Sequence, residues 1–370
     1  MGPLAGLRVV EIASIGPGPF CAMMLADMGA SVLRLERPDA TNLSTRDPLL
    51  RNRRSVVVDL KQEAGAEVVR QLAKSADALI EGFRPGVAEK LGIGPDDCMA
   101  ANRRLVYGRM TGWGQSGPLS LSAGHDINYI AVSGVLSALG RADQPPTPPM
   151  NLVGDFGGGG MLLAFGVLAA LLEARRSGVG QVVDAAMVEG SALLASMQFG
   201  MLAEGTWSDV RGSNLLDTGA PFYDVYPTSD DQWVAVGALE PKFFAALIAE
   251  LDLDFDVVDQ YDKERWPALR HELTEAFASR TGPEWSELLE GTDACAVSVL
   301  SMKDAPNHPH NAHRRSFIDV AGVVQPAPAP RFSRTPAEEP SPAVHDADAL
   351  AEWGITADRL AALKQSGVVL

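Results

Sequence analysis

The chain has 370 residues, 46% of them hydrophobic and 21% charged, proportions that suit a packed core and argue against disorder. Its length exceeds one typical domain, so two domains, or a large one with a smaller one, are expected. A formal net charge of −16 speaks against nucleic-acid binding and against docking on an anionic membrane, though a local cluster of arginines can still draw an anionic small ligand.

Six short runs rich in Val, Ile and Leu come first: Leu7–Ala13, Ser31–Glu36, Ser55–Leu60, Asp77–Glu81, Arg104–Met110 and Gln181–Met187. Between them Pro19–Met28, Glu63–Lys74 and Gly157–Arg175 carry helical period. This alternation predicts a parallel sheet covered on both faces. Ala142–Pro149 reads as a proline-rich loop able to control access to Asp155, and Leu193–Leu202 as a long connecting helix. Beyond residue 220 the pattern changes to a hairpin, Tyr223–Tyr226 and Trp233–Val236, then helices at Lys242–Leu251 and Trp266–Ser279 and a strand at Ala294–Leu300. Gln325–Pro330 reads as a linker and Asp346–Gly367 as two short helices. The expected organisation is a large domain over 1–190 completed by 331–370, a linker over 191–221, a small α+β domain over 222–310 and a return linker over 311–330.

The N-terminus MGPLAGLRVVEIA has no basic region followed by an apolar signal core. The most apolar later stretch, Met161–Leu172, spans 12 residues against the roughly 20 needed to cross a bilayer. Three scattered cysteines (Cys21, Cys98 and Cys295) form neither a disulfide framework nor a zinc spacing, so a cytoplasmic protein is expected.

Several stretches carry candidate chemistry. GPGPFCAMMLADMGA after the first strand, with Glu36 about twenty residues on, has the outline of a dinucleotide fingerprint. Cys21 replaces its third glycine, and Pro17 and Pro19 have no N–H to offer a pyrophosphate, so a tight turn lining a crevice is the better reading. Arg34, Arg37, Arg46, Arg51, Arg53, Arg54 and Lys61, with Arg84 and Lys90 further on, form a local basic excess. It fits either a phosphate ligand or a face paired with nearby acids. The histidines of HPHNAHRR (His308, His310, His313) lack a neighbouring Glu or Cys at ligand spacing, and no metal is expected. MTGWGQSGP (110–118) and NLVGDFGGGG (151–160) read as constrained loops that let a ligand approach the backbone. Local physics leaves Asp126 and Asp155 open between helix cap and catalyst, and His125 open between a polar helix start and a base.

Taken together, LRVVEIASIGPGPFCAMMLADMGASVLRLERP, NRRSVVVDLK, EGFRPG, MTGWGQSGP, GHDINY, NLVGDFGGG and the tail LAEWGITADRLAALKQSGVVL resemble the class III CoA-transferase superfamily. Within it, a histidine in GHDINY followed by NLVGDFGGG resembles the α-methylacyl-CoA racemases, whereas the transferases usually carry an aromatic residue at that position. The resemblance implies a Rossmann-like α/β large domain, a small α+β domain and an interlocked-ring homodimer with active sites at the interface. It implies proton transfer by His125 and Asp155 supported by Asp126 and Glu240. It implies coenzyme A contacts from Arg37, Val58, Asp59, Leu60, Lys61, Gly82, Phe83, Arg84, Lys90, Gly124, Ile127, Asn128 and Tyr129. The implied substrate is a 2-methylacyl-CoA thioester, with no further cofactor because coenzyme A is part of that substrate. Two alternatives remain: a CoA-transferase with Asp155 as nucleophile, and a CoA- or dinucleotide-binding protein without chemistry.

Overall fold

The computed structural model describes residues 2–39, 44 and 46–370. In chain order the first half runs β1 (Arg8–Ile12), α1 (Pro17–Asp27), β2 (Ser31–Glu36), β3 (Arg53–Val57), α2 (Glu63–Ala73), β4 (Ala78–Glu81), α3 (Val87–Lys90), α4 (Pro95–Ala101) and β5 (Val106–Thr111). It continues through α5 (Asp126–Val132), α6 (Val135–Ala138), a π-helix (Leu152–Met161), α7 (Leu162–Ser177), β6 (Val182–Ala186), α8 (Met187–Leu194) and α9 (Ser196–Ala203). The second half adds β7 (Tyr223–Pro227), β8 (Trp233–Gly237), α10 (Pro241–Glu250), α11 (Trp266–Ala278), α12 (Gly282–Leu289) and β9 (Ala296–Ser298). Last come α13 (Pro309–Arg314), β10 (Phe317–Val320), β11 (Val323–Pro326), β12 (Val344–His345), α14 (Ala349–Glu352) and α15 (Ala357–Gln365).

The six early runs, with β12 from near the C-terminus added at one edge, form a seven-stranded parallel sheet in the order β12-β3-β2-β1-β4-β5-β6. Alternate side chains enter two separate cores, which is why these strands read as continuous apolar runs. Val10, Leu33, Leu35, Leu79 and Tyr107 pack on one face with the C-terminal residues Leu350, Trp353 and Leu363. Val9, Val32, Ile80 and Val106 pack on the other against α1 and α7.

Two compact units divide the chain: Met1–Ser133, Met150–Ala195 and His313–Leu370 form the first, and Gly134–Pro149 with Ser196–Ala312 the second. The second unit holds the antiparallel sheet β7-β8-β9 and the core of Phe222, Phe244, Leu273 and Phe277. The proline-rich segment 142–149 belongs with the second unit. Arg141 forms an ion pair with Asp224, and Arg211 donates to the carbonyls of Ser137, Arg141 and Gln144.

Three expectations change. The connecting helix over 193–202 is broken: α8 ends at Leu194, and α9 begins a new helix at Ser196. The linker over 325–330 starts inside a hairpin, because β11 pairs antiparallel with β10. The limit of 12 apolar residues also fails, since the π-helix runs directly into α7. The helix Leu152–Ser177, 26 residues long, contains an 18-residue stretch of mean hydropathy 1.7 and is long and apolar enough to cross a membrane by length and composition, although 44% of that stretch is buried inside the protein. The glycines that look like breakers in the sequence join the helix. Its Leu163, Val167 and Leu171 are buried in the second core of the first unit.

Candidate active site

The turns at the carboxyl ends of β1, β4 and β5 meet the start of α5 and the π-helix around a cavity of about 520 Å³. This is where open parallel sheets generally place ligands. Ser14–Pro17 comes from the first turn, Gly82–Pro85 from the second and Met110–Trp113 from the third. His125, Tyr129, Asn151 and Asp155 face the same space. Gly16 has φ +66, and a Cβ there would stand 3.0 Å from Asp155 Oδ2, so any other residue would strain the turn and push on that carboxylate.

His125 is the residue before α5, with extended backbone. Its N–H donates to Asn128 Oδ1 at 3.0 Å, and its carbonyl accepts from Asn128 N at 2.8 Å. The imidazole is exposed and makes no hydrogen bond among the described residues, so it is open to a ligand. Asp155 lies in the wide turns of the π-helix, half-buried, with Oδ2 accepting from Asn151 Nδ2 at 3.2 Å. Burial is the main reason its carboxyl sits above the ordinary value. The Asp126 charge adds to this, while the Asn151 hydrogen bond and His125 pull it down.

The Asp126 side chain is not a simple cap of its own helix and does not line the cavity. It is buried, and its Oδ2 accepts the backbone N–H of Asp155 at 2.6 Å, tying the start of α5 to the π-helix. Its Oδ1 is buried without a partner among the described residues.

Of the residues expected to contact coenzyme A, the cavity brings together Gly82, Phe83, Arg84, Gly124 and Tyr129. The Tyr129 hydroxyl donates to the Gly124 carbonyl, and its ring meets Trp113 edge-on at 4.9 Å. Arg37 follows β2, and Val58 to Lys61 follow β3, so both sit along the same carboxyl edge but do not line the cavity. Val58 is fully buried beside Val369, and Leu60 packs on the first core. Contacts from that segment would fall to its backbone and to the exposed Lys61; Asp59 accepts from Gln62 and the Lys61 N–H. Lys90 is exposed at the end of α3, Ile127 is exposed on α5, and Asn128 is committed to the His125 backbone. Glu240 belongs to the second unit, exposed ahead of α10.

The basic excess divides. Arg34 pairs with Glu11 and Glu36, Arg53 with Glu11, Arg51 with Asp27, and Arg54 with Glu352 and Asp346. Much of it is therefore structural. Glu36, the residue placed to hold a ribose in a dinucleotide site, is committed to Arg34. Among the described residues Lys61, Arg84 and Lys90 form no ion pair and remain available to phosphates. Sequence reading missed Asn151, although its position four residues before Asp155 on a helix is the spacing at which such pairs meet. It also missed Ser14 and Met187, which have no local signature.

The chain matches CoA-transferase family III over residues 4–347. It belongs to that family. Over 99% of its length it is 44% identical to the α-methylacyl-CoA racemases of Mus musculus and Homo sapiens, covering 97% of each. It is 30% identical over 99% of its length to the succinyl-CoA–D-citramalate CoA-transferase of Chloroflexus aurantiacus, covering 98% of that protein. A CAIB/BAIF family protein from Brucella suis superposes with a TM-score of 0.78 at 26% identity, covering 95% of this chain and 99% of that one. Rv3272 from Mycobacterium tuberculosis superposes at 0.75 and 29% identity, with 93% and 97% covered. The family thus includes both racemases and transferases, and the side chains at the cavity must decide between them.

Proposed function

We propose that this family III chain is an α-methylacyl-CoA racemase, an isomerase that interconverts the two configurations of a 2-methylacyl-CoA thioester. The carrying observation is an unpartnered imidazole and a carboxyl raised by burial on one cavity, His125 and Asp155. The 44% identity with two curated racemases, against 30% with the transferase, favours the same reading.

Racemisation removes a proton from the α-carbon on one face and returns one on the other. Neutral His125 takes the α-proton, and the C–H electron pair moves into the thioester to give an enolate. The protonated Asp155 carboxyl then gives its proton to the opposite face, leaving imidazolium and carboxylate. The reverse reaction exchanges the roles. Positioned acids and bases of this kind each contribute about 10²- to 10⁴-fold. The Asp126 N–H, first in α5 and without an acceptor among the described residues, would receive the developing oxyanion. Ile15, Met110 and Met187 offer the acyl chain an apolar, adaptable wall. As proposed, the reaction draws on no separate cofactor.

The chain would act as a homodimer. Met161, Phe165, Leu168 and Leu172 form an exposed stripe on one face of the helix, Phe165 and Leu172 each 71% exposed, and a second copy would cover it. Glu240, implied by family resemblance to steady His125, would be supplied by the second copy. A cytoplasmic setting suits three unpaired cysteines, two of them buried.

The test is uptake of deuterium from D₂O at Cα of either isomer of a 2-methylacyl-CoA, without an acceptor acid. Acyl exchange between two acids, with a hydroxylamine-trappable adduct on Asp155 and no α-deuterium, would establish the transferase instead.

A further inference from the structure

Strands β4 and β5 put Glu81 and Arg109 in direct register at the carboxyl edge of the sheet. Glu81 is buried, and both of its oxygens are engaged. Oε1 accepts from Arg109 Nε at 2.8 Å, and Oε2 accepts the Phe83 N–H at 2.6 Å. The other side of the same guanidinium forks onto Glu89 of α3, Nη1 to Oε1 at 2.7 Å and Nη2 to Oε2 at 3.2 Å. Glu81 and Glu89 bracket the segment 82–88, whose Gly82–Pro85 lines the cavity. One arginine therefore holds both ends of a cavity loop. Burying two charges is costly, and apolar residues of similar volume would join the strands at least as well, so simple cohesion does not account for the arrangement. A planar fork, by contrast, fixes direction as well as distance.

We infer that Glu81, Arg109 and Glu89 form a clasp of positioning residues that sets the Gly82–Pro85 loop, and Arg84 within it, to receive the coenzyme A portion of the substrate. None of the three would touch the reacting carbon; they act through the loop. The inference rests on the racemase reading for the identity of the ligand, but not for the clasp itself. Its kinetic signature follows from its place: binding of the non-reacting end is equal in ground and transition states, so losing it raises KM and leaves kcat.

The experiment compares the wild-type chain with Glu89→Gln and Arg109→Lys. Glu89→Gln acts at the solvent-facing end and removes no buried charge, so folding is preserved; Arg109→Lys keeps the charge but loses the fork. Steady-state racemisation of a 2-methylacyl-CoA is measured beside backbone hydrogen exchange of the peptide spanning 82–90. Expected in both variants is a KM raised about tenfold with kcat within a factor of about three, and faster exchange at 83–88. A wild-type KM with unchanged exchange in Glu89→Gln would overturn the clasp, as would equal losses in kcat and kcat/KM. If the wild-type chain moved no α-hydrogen, the racemase reading would fail alone, and the exchange of residues 83–88 would still decide whether the clasp holds the loop.

Discussion

In the proposed reaction Asp155 carries a proton for half of the cycle, and its half-buried setting suits a carboxyl to that part. Because burial raises it in the folded chain, the unfolded chain ionises more readily. Stability from this group is therefore full below the unfolded value of about 3.9 and is lost as pH rises through the folded value. Asp155→Asn removes that loss while abolishing the acid. It is expected to lower α-hydrogen exchange by about 10²- to 10⁴-fold, and to melt above wild type at neutral pH but together with it in acid. A melting series across that range checks the sign; curves that coincide at every pH would mean an unperturbed carboxyl. Asp126→Asn makes a separate point. Its amide oxygen can still accept the Asp155 N–H, but the charge that helps raise Asp155 is gone. In the direction where Asp155 donates, the alkaline limb of the kcat profile should move to lower pH, and an unmoved limb would remove Asp126 from the electrostatics of the site.

The π-helix decides where Asp155 points. Its wide turn is possible because glycines let it lie directly on neighbouring backbone. A Cβ on Gly190 of α8 would fall 1.9 Å from the Gly158 carbonyl oxygen, and one on Gly158 would fall 2.6 Å from the Ser191 nitrogen. Gly190→Ala is expected to cost about 1–3 kcal/mol in urea unfolding, and to reduce kcat more than KM because the π-helix that carries Asp155 must shift. Wild-type stability in this variant would mean that the close approach is relaxed in solution. The start of the π-helix, NLVGDF, gives no warning of a helix, since the helical period is read only from Gly157 on. Strand β3 misleads in the opposite way. It begins at Arg53, two residues before its apolar run, because Glu11 on β1 neutralises a guanidinium that no pattern of hydrophobicity would place in a sheet. Helix α12 is absent from the sequence expectations, although Thr281 and Glu284 form a capping box in TGPEW that could have marked its start.

For the assembled protein, the exposed stripe on α7 and the π-helix gives the clearest expectation. If the chain pairs as proposed, Phe165→Asp together with Leu172→Asp should give monomers in light scattering and reduce racemisation in parallel, because the Glu240 proposed to come from the second copy would be lost. A wild-type chain that is already monomeric and active would dismiss the proposed assembly.

The sequence by itself determined the parallel α/β framework, since alternating apolar runs and helical segments admit few other arrangements. It also determined the family, carried by ordered motifs from the first strand to the tail. The histidine and aspartate proposed for the chemistry stand in those same motifs. Tertiary structure decided which charges serve the ligand and which serve the fold. The basic residues of RNRRSVVVDLK look alike to a phosphate, yet Arg51, Arg53 and Arg54 find carboxylates from Asp27, Glu11 and Glu352, distant in sequence and adjacent only after folding. Asp126 and Asn151 acquire their parts for the same reason. Hydrogen bonds to one carboxylate and to its backbone depend on where helices cross, and residue order along the chain does not encode that crossing locally.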